Sequence, residues 1–113
     1  MSYHHKSRSP NRIHPWMVTL SELSKEAHQI AVEKGFWDRE RPVSELLMLC
    51  VTELSEACEA DRHGDEENFR EEIADTFIRL FDLCGALEID IEYEIKKKMN
   101  INKTRPYKHG KRY

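Results

Sequence analysis

The chain is expected to be all-α, and three observations carry that expectation. Apolar residues recur at intervals of three and four through most of residues 20–99, which is the period of a helix face. No stretch alternates apolar and polar residues as a half-buried strand would. Residues with helix-starting and helix-stopping chemistry stand at the ends of the periodic runs. With 113 residues there is room for one domain at most. At 35% charged residues and a mean hydropathy of -0.75 the core must be thin, a deficit that partner subunits often fill.

Each element has a local reason. Residues 1–18 mix Ser, Pro, His and Arg without period and are expected to form an irregular lead. Thr19-Leu20-Ser21-Glu22 has the capping-box form, so a first helix should start there. Its apolar positions are Leu20, Leu23, Ala27, Ile30 and Ala31, and Gly35 supplies the stop. Phe36-Trp37-Asp38 leads through two arginines to Pro42, a residue suited to opening a helix. The second helix should run to about Arg62, with Leu46 or Leu47, Cys50, Leu54 and Ala57 as its inner stripe. His63-Gly64-Asp65 reads as a tight turn. Ile73, Phe77, Leu80, Cys84 and Leu87 then mark a third helix, weakened at its end by Gly85. Asp90 is the expected N-cap of a fourth, whose apolar edge is Ile91, Ile95 and Met99, and Pro106 closes helical structure. The helical domain is thus placed at residues 19–105, with a basic tail at 106–113.

Composition narrows the function classes. No window approaches the ~18 apolar residues of a membrane span, and the first residues lack the apolar core of a signal peptide, so a soluble cytoplasmic protein without a membrane partner is expected. Cys50, Cys58 and Cys84 form no CxxC pair and fall within helical runs, which fits reduced core residues. The net charge of -3 hides a segregation. Glu53 to Glu94 holds fifteen acidic residues against Arg62, Arg70 and Arg79, whereas Lys96 to Tyr113 holds eight Lys or Arg and no acid. Nucleic acid is not an expected partner, because the acidic bulk would repel a phosphate backbone.

The chemistry concentrates in two motifs. Glu53-Leu54-Ser55-Glu56 and Glu72-Ile73-Ala74-Asp75 each set two carboxylates at i and i+3, on one face of one helix. Glu56 and Glu72 are equidistant from Gly64, and so are Glu53 and Asp75. In an antiparallel helical hairpin such residues lie side by side, so all four carboxylates should converge. Crowded, partly shielded carboxylates must raise their pKa values or capture a cation. Oxygen ligands without Cys or His favour a hard ion, Mg²⁺ or Mn²⁺. Such an ion keeps open positions for phosphate oxygens, and Lys98, Asn102 and Arg105 of the tail could then neutralise a polyphosphate. Trp37 is a candidate for stacking a base, or else a core or interface aromatic. His28 borders the apolar stripe of the first helix, where a structural hydrogen-bonding role competes with a functional one.

On ELSEACEA (Glu53 to Ala60), EEIADTFIRL (Glu71 to Leu80) and KMNINKTRPYKHGK (Lys98 to Lys111), the chain resembles the MazG-like all-α nucleoside triphosphate pyrophosphohydrolases, a group that includes dimeric dUTPases and dCTP pyrophosphatases. The resemblance covers roughly Thr19 to Lys111. It implies a four-to-five-helix bundle built on an antiparallel hairpin and completed by assembly into a homodimer or homotetramer. It further implies hydrolysis of a (deoxy)nucleoside triphosphate to the monophosphate and pyrophosphate. Mg²⁺ would sit on Glu53, Glu56, Glu72 and Asp75, Glu53 or Glu56 would orient or deprotonate the attacking water, and Lys98, Asn102 and Arg105 would bind substrate. The spacing of His28 and Trp37 matches a base-pocket pair of the dCTP-acting members. Arg79 stands where those members carry an aromatic, so a cytosine preference does not carry over.

Two other classes compete. A carboxylate-bridged di-iron bundle needs E-x-x-H motifs, and Asp75 stands where the histidine would be. A non-enzymatic interaction or regulatory module would instead use the acidic face to bind a basic partner.

Overall fold

The computed structural model describes residues 18–113, and among these the secondary structure is helical with no strand. The expected irregular lead lies, but for Val18, outside the described residues. Four α-helices follow in order: α1 (Leu20–Glu33), α2 (Val43–Arg62), α3 (Glu66–Ala86) and α4 (Ile91–Lys103). A short 3-10 turn, Tyr107–Gly110, lies beyond Pro106.

The capping signals act where the sequence places them. Thr19 Oγ1 accepts from the Glu22 backbone N–H at 3.0 Å, and Glu22 Oε1 accepts from the Thr19 N–H at 2.8 Å. Beyond α1, Gly35 takes a φ of +85°, the left-handed region that glycine enters without strain. Asp65 and Asp90 cap α3 and α4 by accepting from the N–H groups of Asn68 and Tyr93.

With only His63, Gly64 and Asp65 between them, α2 and α3 return antiparallel, and α1 packs on α3 as well. α3 is therefore the central element. α4 rests mainly on α1. Asp90 accepts from the Ser21 hydroxyl at 2.8 Å, and Glu92 accepts from the Leu20 N–H at 2.8 Å.

The buried faces match the expected stripes at Leu46, Cys50, Ala57 and Cys84 and differ elsewhere. On α2 the seam is Leu46, Cys50, Glu53, Ala57 and Ala60, so Glu53, 8% exposed, holds a core position while Leu54 stays 49% exposed. On α3, Thr76, Leu83 and Cys84 are buried, whereas Phe77, Leu80 and Leu87 lie at the surface. The physical reason is that both helices carry apolar residues on more than one face, so a period alone leaves the inward face open. Gly85 lies in the last turn of α3, which ends at Ala86, and it has a second role there. A Cβ there would meet His28 Cβ at 2.6 Å and the Ser24 carbonyl oxygen at 2.9 Å. Its bare Cα lets α1 lie against α3, and the Ser24 hydroxyl donates to the Phe81 carbonyl at 2.6 Å beside it.

Candidate metal centre and its pocket

The antiparallel return of α3 on α2 brings acidic side chains together from both helices. One ligand oxygen each of Glu53, Glu56 and Glu72 lies within 4.8 Å of the others. Glu53 is buried, Glu56 exposed and Glu72 half-buried. Asp75 lines the same pocket but is not a member of this trio. Asp75 is exposed, and its charge still acts on Glu72.

The electrostatics match the crowding. Partial burial, a hydrogen bond to Glu56 and the charges of Glu56, Glu53 and Asp75 raise the Glu72 carboxyl to about 7. The position facing Glu53 is filled by a cation: Arg79 Nε lies 3.6 Å from Glu53 Oε1.

The pocket has a volume of about 420 Å³. α1 and the residues after it supply an apolar wall of Ala27, Ile30, Ala31 and Phe36, and α2 supplies Glu53 and Glu56. α3 runs through it with Glu72, Asp75, Arg79 and Asp82, spaced three, four and three apart on one helix face. The ten steps from Glu72 to Asp82 span about 15 Å of helix axis. Arg41 completes the lining, fixed by its Nε bond to Glu45 at 3.0 Å.

His28 and Trp37 meet at Asp82. The Trp37 indole N–H donates to Asp82 Oδ1 at 2.9 Å, and His28 Nδ1 lies 2.8 Å from the same oxygen. Their rings pack edge to face at 5.2 Å. Trp37 thus spends its polar edge on Asp82, and the aromatic lining the pocket is its neighbour Phe36. No family model, curated protein or solved structure matches the chain.

Lys98, Asn102 and Arg105 are not brought to this pocket within one chain. Arg105 instead lies 3.3 Å from His109 Nδ1, and Asn102 Oδ1 is buried without a hydrogen-bond partner among the described residues. Sequence reasoning did not single out Phe36, Arg41 or Asp82 as site residues, and it noted Arg79 only as a departure. The signal for Arg79 and Asp82 is the polar stripe of α3 itself, which continues the 72–75 pair by two further steps at helical spacing.

As a donor set the trio fits a hard divalent cation. It offers carboxylate oxygens alone, drawn from two helices, with at least one member open to water. No helix among the described residues is long and apolar enough to cross a membrane.

Proposed function

We propose that the chain is a MazG-like nucleoside triphosphate pyrophosphohydrolase, working with Mg²⁺, or Mn²⁺ in its place, as a homodimer or homotetramer. The observation that supports this reading is the convergence of Glu53, Glu56 and Glu72 at one part of a pocket that also carries an apolar wall, an exposed phenyl ring and a fixed carboxylate. Bound at the trio, Mg²⁺ would supply positive charge to the phosphoryl oxygens and to the leaving pyrophosphate.

The chain's own residues divide the rest of the work. Glu56, the exposed member of the trio, orients a water and accepts its proton, with Glu72 beside it as a partner that exchanges protons near neutrality. Phe36 offers a face for a base to stack on. Both bonds that fix Asp82 fall on Oδ1, which leaves Oδ2 to accept an N–H from that base. In this reading His28 and Trp37 are positioning residues that act through Asp82.

Assembly enters for two reasons. Leu47, Val51, Leu54, Phe77 and Ile78 leave a broad apolar surface on α2 and α3. Lys98, Asn102 and Arg105 can reach a substrate in the pocket if a second copy presents them. The test is pyrophosphate release from the eight common nucleotides with and without Mg²⁺. Release from at least one, abolished by chelator, is the expected result, and no release from any of them removes the reading.

The separation of the basic tail from the acidic pocket favours one second reading, an interaction module whose acidic face binds a basic partner. A chain of this kind would release no pyrophosphate, and its binding of a basic peptide would weaken steeply with salt.

A further inference from the structure

Arg79 is the only described cation paired with the carboxylate trio, and it is held loosely. Glu53 sits in the α2–α3 seam, where an ionised carboxylate without a partner is costly. The Nε to Oε1 distance of 3.6 Å makes an ion pair, but it is too long for a hydrogen bond, and the Arg79 side chain remains 38% exposed. Arg41 differs, with a side chain 11% exposed and bonds to Glu45 at 3.0 Å and the Phe36 carbonyl at 3.3 Å. Of the two guanidinium groups in the pocket, Arg79 is the one free to change partner.

Arg79 and a divalent cation on the trio would compete for Glu53, since both would draw on the same carboxylate oxygens. We infer that Arg79 is a built-in counter-ion for the trio in the metal-free protein, and that a divalent cation displaces its guanidinium from Glu53 into the pocket, where it grips a phosphoryl group. The inference rests on the metal-site part of the proposed function and adds a residue, a competition and an order of events to it. A planar guanidinium matches two phosphate oxygens at once, and Arg79 lines the volume where a phosphate chain beside the trio would lie. Metal and polyphosphate should therefore bind with positive coupling, because the metal frees the arginine that the anion uses.

The test compares wild type, Arg79→Met and Arg79→Lys as full chains. Free Mn²⁺ is titrated by its electron paramagnetic resonance signal without nucleotide, and inorganic tripolyphosphate is then titrated calorimetrically at saturating Mn²⁺. Arg79→Met should bind Mn²⁺ at least tenfold more tightly than wild type and tripolyphosphate at least tenfold more weakly. Arg79→Lys keeps the charge and should stay within about threefold of wild type for Mn²⁺. Circular dichroism melts in chelator and in Mn²⁺ show whether Arg79→Met is folded, and its stabilisation by Mn²⁺ should exceed that of wild type. Equal Mn²⁺ affinities for wild type and Arg79→Met, no binding by either included, overturn the inference, as do equal tripolyphosphate affinities. Failure of the hydrolase reading is seen separately, as absence of pyrophosphate release from every nucleotide while these affinity differences hold.

Discussion

Carboxylate oxygens of Glu72 and Glu56 lie within 4.8 Å of each other across the α2–α3 seam, and this crowding together with partial burial holds the Glu72 carboxyl up at about 7. This sets the pH behaviour of the metal-free protein. Glu72 binds its proton up to about 7 when folded, against 4.5 for an unperturbed glutamate. Between these values the native state holds more protons than the unfolded one, so stability should fall as pH rises through the window and then level off. Thermal melts in chelator from pH 4.5 to 8 check this, and Glu72→Gln should flatten the fall. Below pH 7, Mn²⁺ binding should also release protons, measurable by calorimetry in buffers of different ionisation enthalpy.

Removing charge from the trio separates function from stability. Glu53→Gln, Glu56→Gln and Glu72→Gln should each cut pyrophosphate release by roughly a hundredfold or more. Asp75→Asn should cost less, since Asp75 stands outside the trio. In chelator at pH 8, Glu72→Gln should melt no lower than wild type, because it relieves repulsion. Full activity in two of the three glutamine variants would end the assignment.

The tail can be tested by complementation. Arg105→Ala should lower kcat/KM at least tenfold, on the scale of ~1.4 kcal/mol for one charge-assisted contact. If a second copy supplies Arg105, mixing inactive Glu56→Gln with Arg105→Ala should restore part of the activity through mixed oligomers. Additive residual rates on mixing would show that each chain uses its own tail or none.

The apolar surface predicts assembly. Leu54→Glu and Phe77→Glu place charges where 49% and 56% exposed apolar side chains would meet a partner. Together they should shift the light-scattering mass at micromolar concentration toward that of one chain. A wild type that already scatters as a single chain would contradict the oligomer.

The approach of α1 to α3 predicts a cost at Gly85. Gly85→Ala forces a methyl onto His28 Cβ and the Ser24 carbonyl, neither of which is the free end of a flexible side chain. A loss of about 1–3 kcal/mol is expected, seen as a melting temperature lower by roughly 5 °C or more.

Much of this architecture was readable from local chemistry. Thr19, Asp90, Gly35 and the 63–65 turn act through bonds between near neighbours, so sequence spacing determines them. The acidic pairs were readable because symmetry about a turn converts sequence distance into spatial proximity, and it brought three of the four carboxylates together. The inward faces were readable only in part: Leu46, Cys50, Ala57 and Cys84 are buried as expected. Leu54 and Phe77 satisfy the helical period as well as the buried residues do, and only the packing of α1 against α3 and α3 against α2 chooses between them. Gly85 was readable as a residue near a helix end, but its second role, admitting α1 against α3, was not, since that depends on His28 and Ser24 far along the chain. Asp82 lies on the readable polar stripe of α3, but the bonds that fix it come from His28 and Trp37, distant along the chain.

The start of α4 is fastened to the start of α1 by Asp90 and Glu92, while its far end has no comparable anchor among the described hydrogen bonds. Hydrogen exchange should register that asymmetry. Amides near Ile101 and Lys103 should exchange by fraying, well before those of the α2–α3 seam. The Leu20 amide should follow α4 rather than its own helix, because its acceptor is the Glu92 carboxylate. Deuterium uptake at the opening turn of α1 would thus report whether α4 is docked, a reading taken far from the acidic pocket.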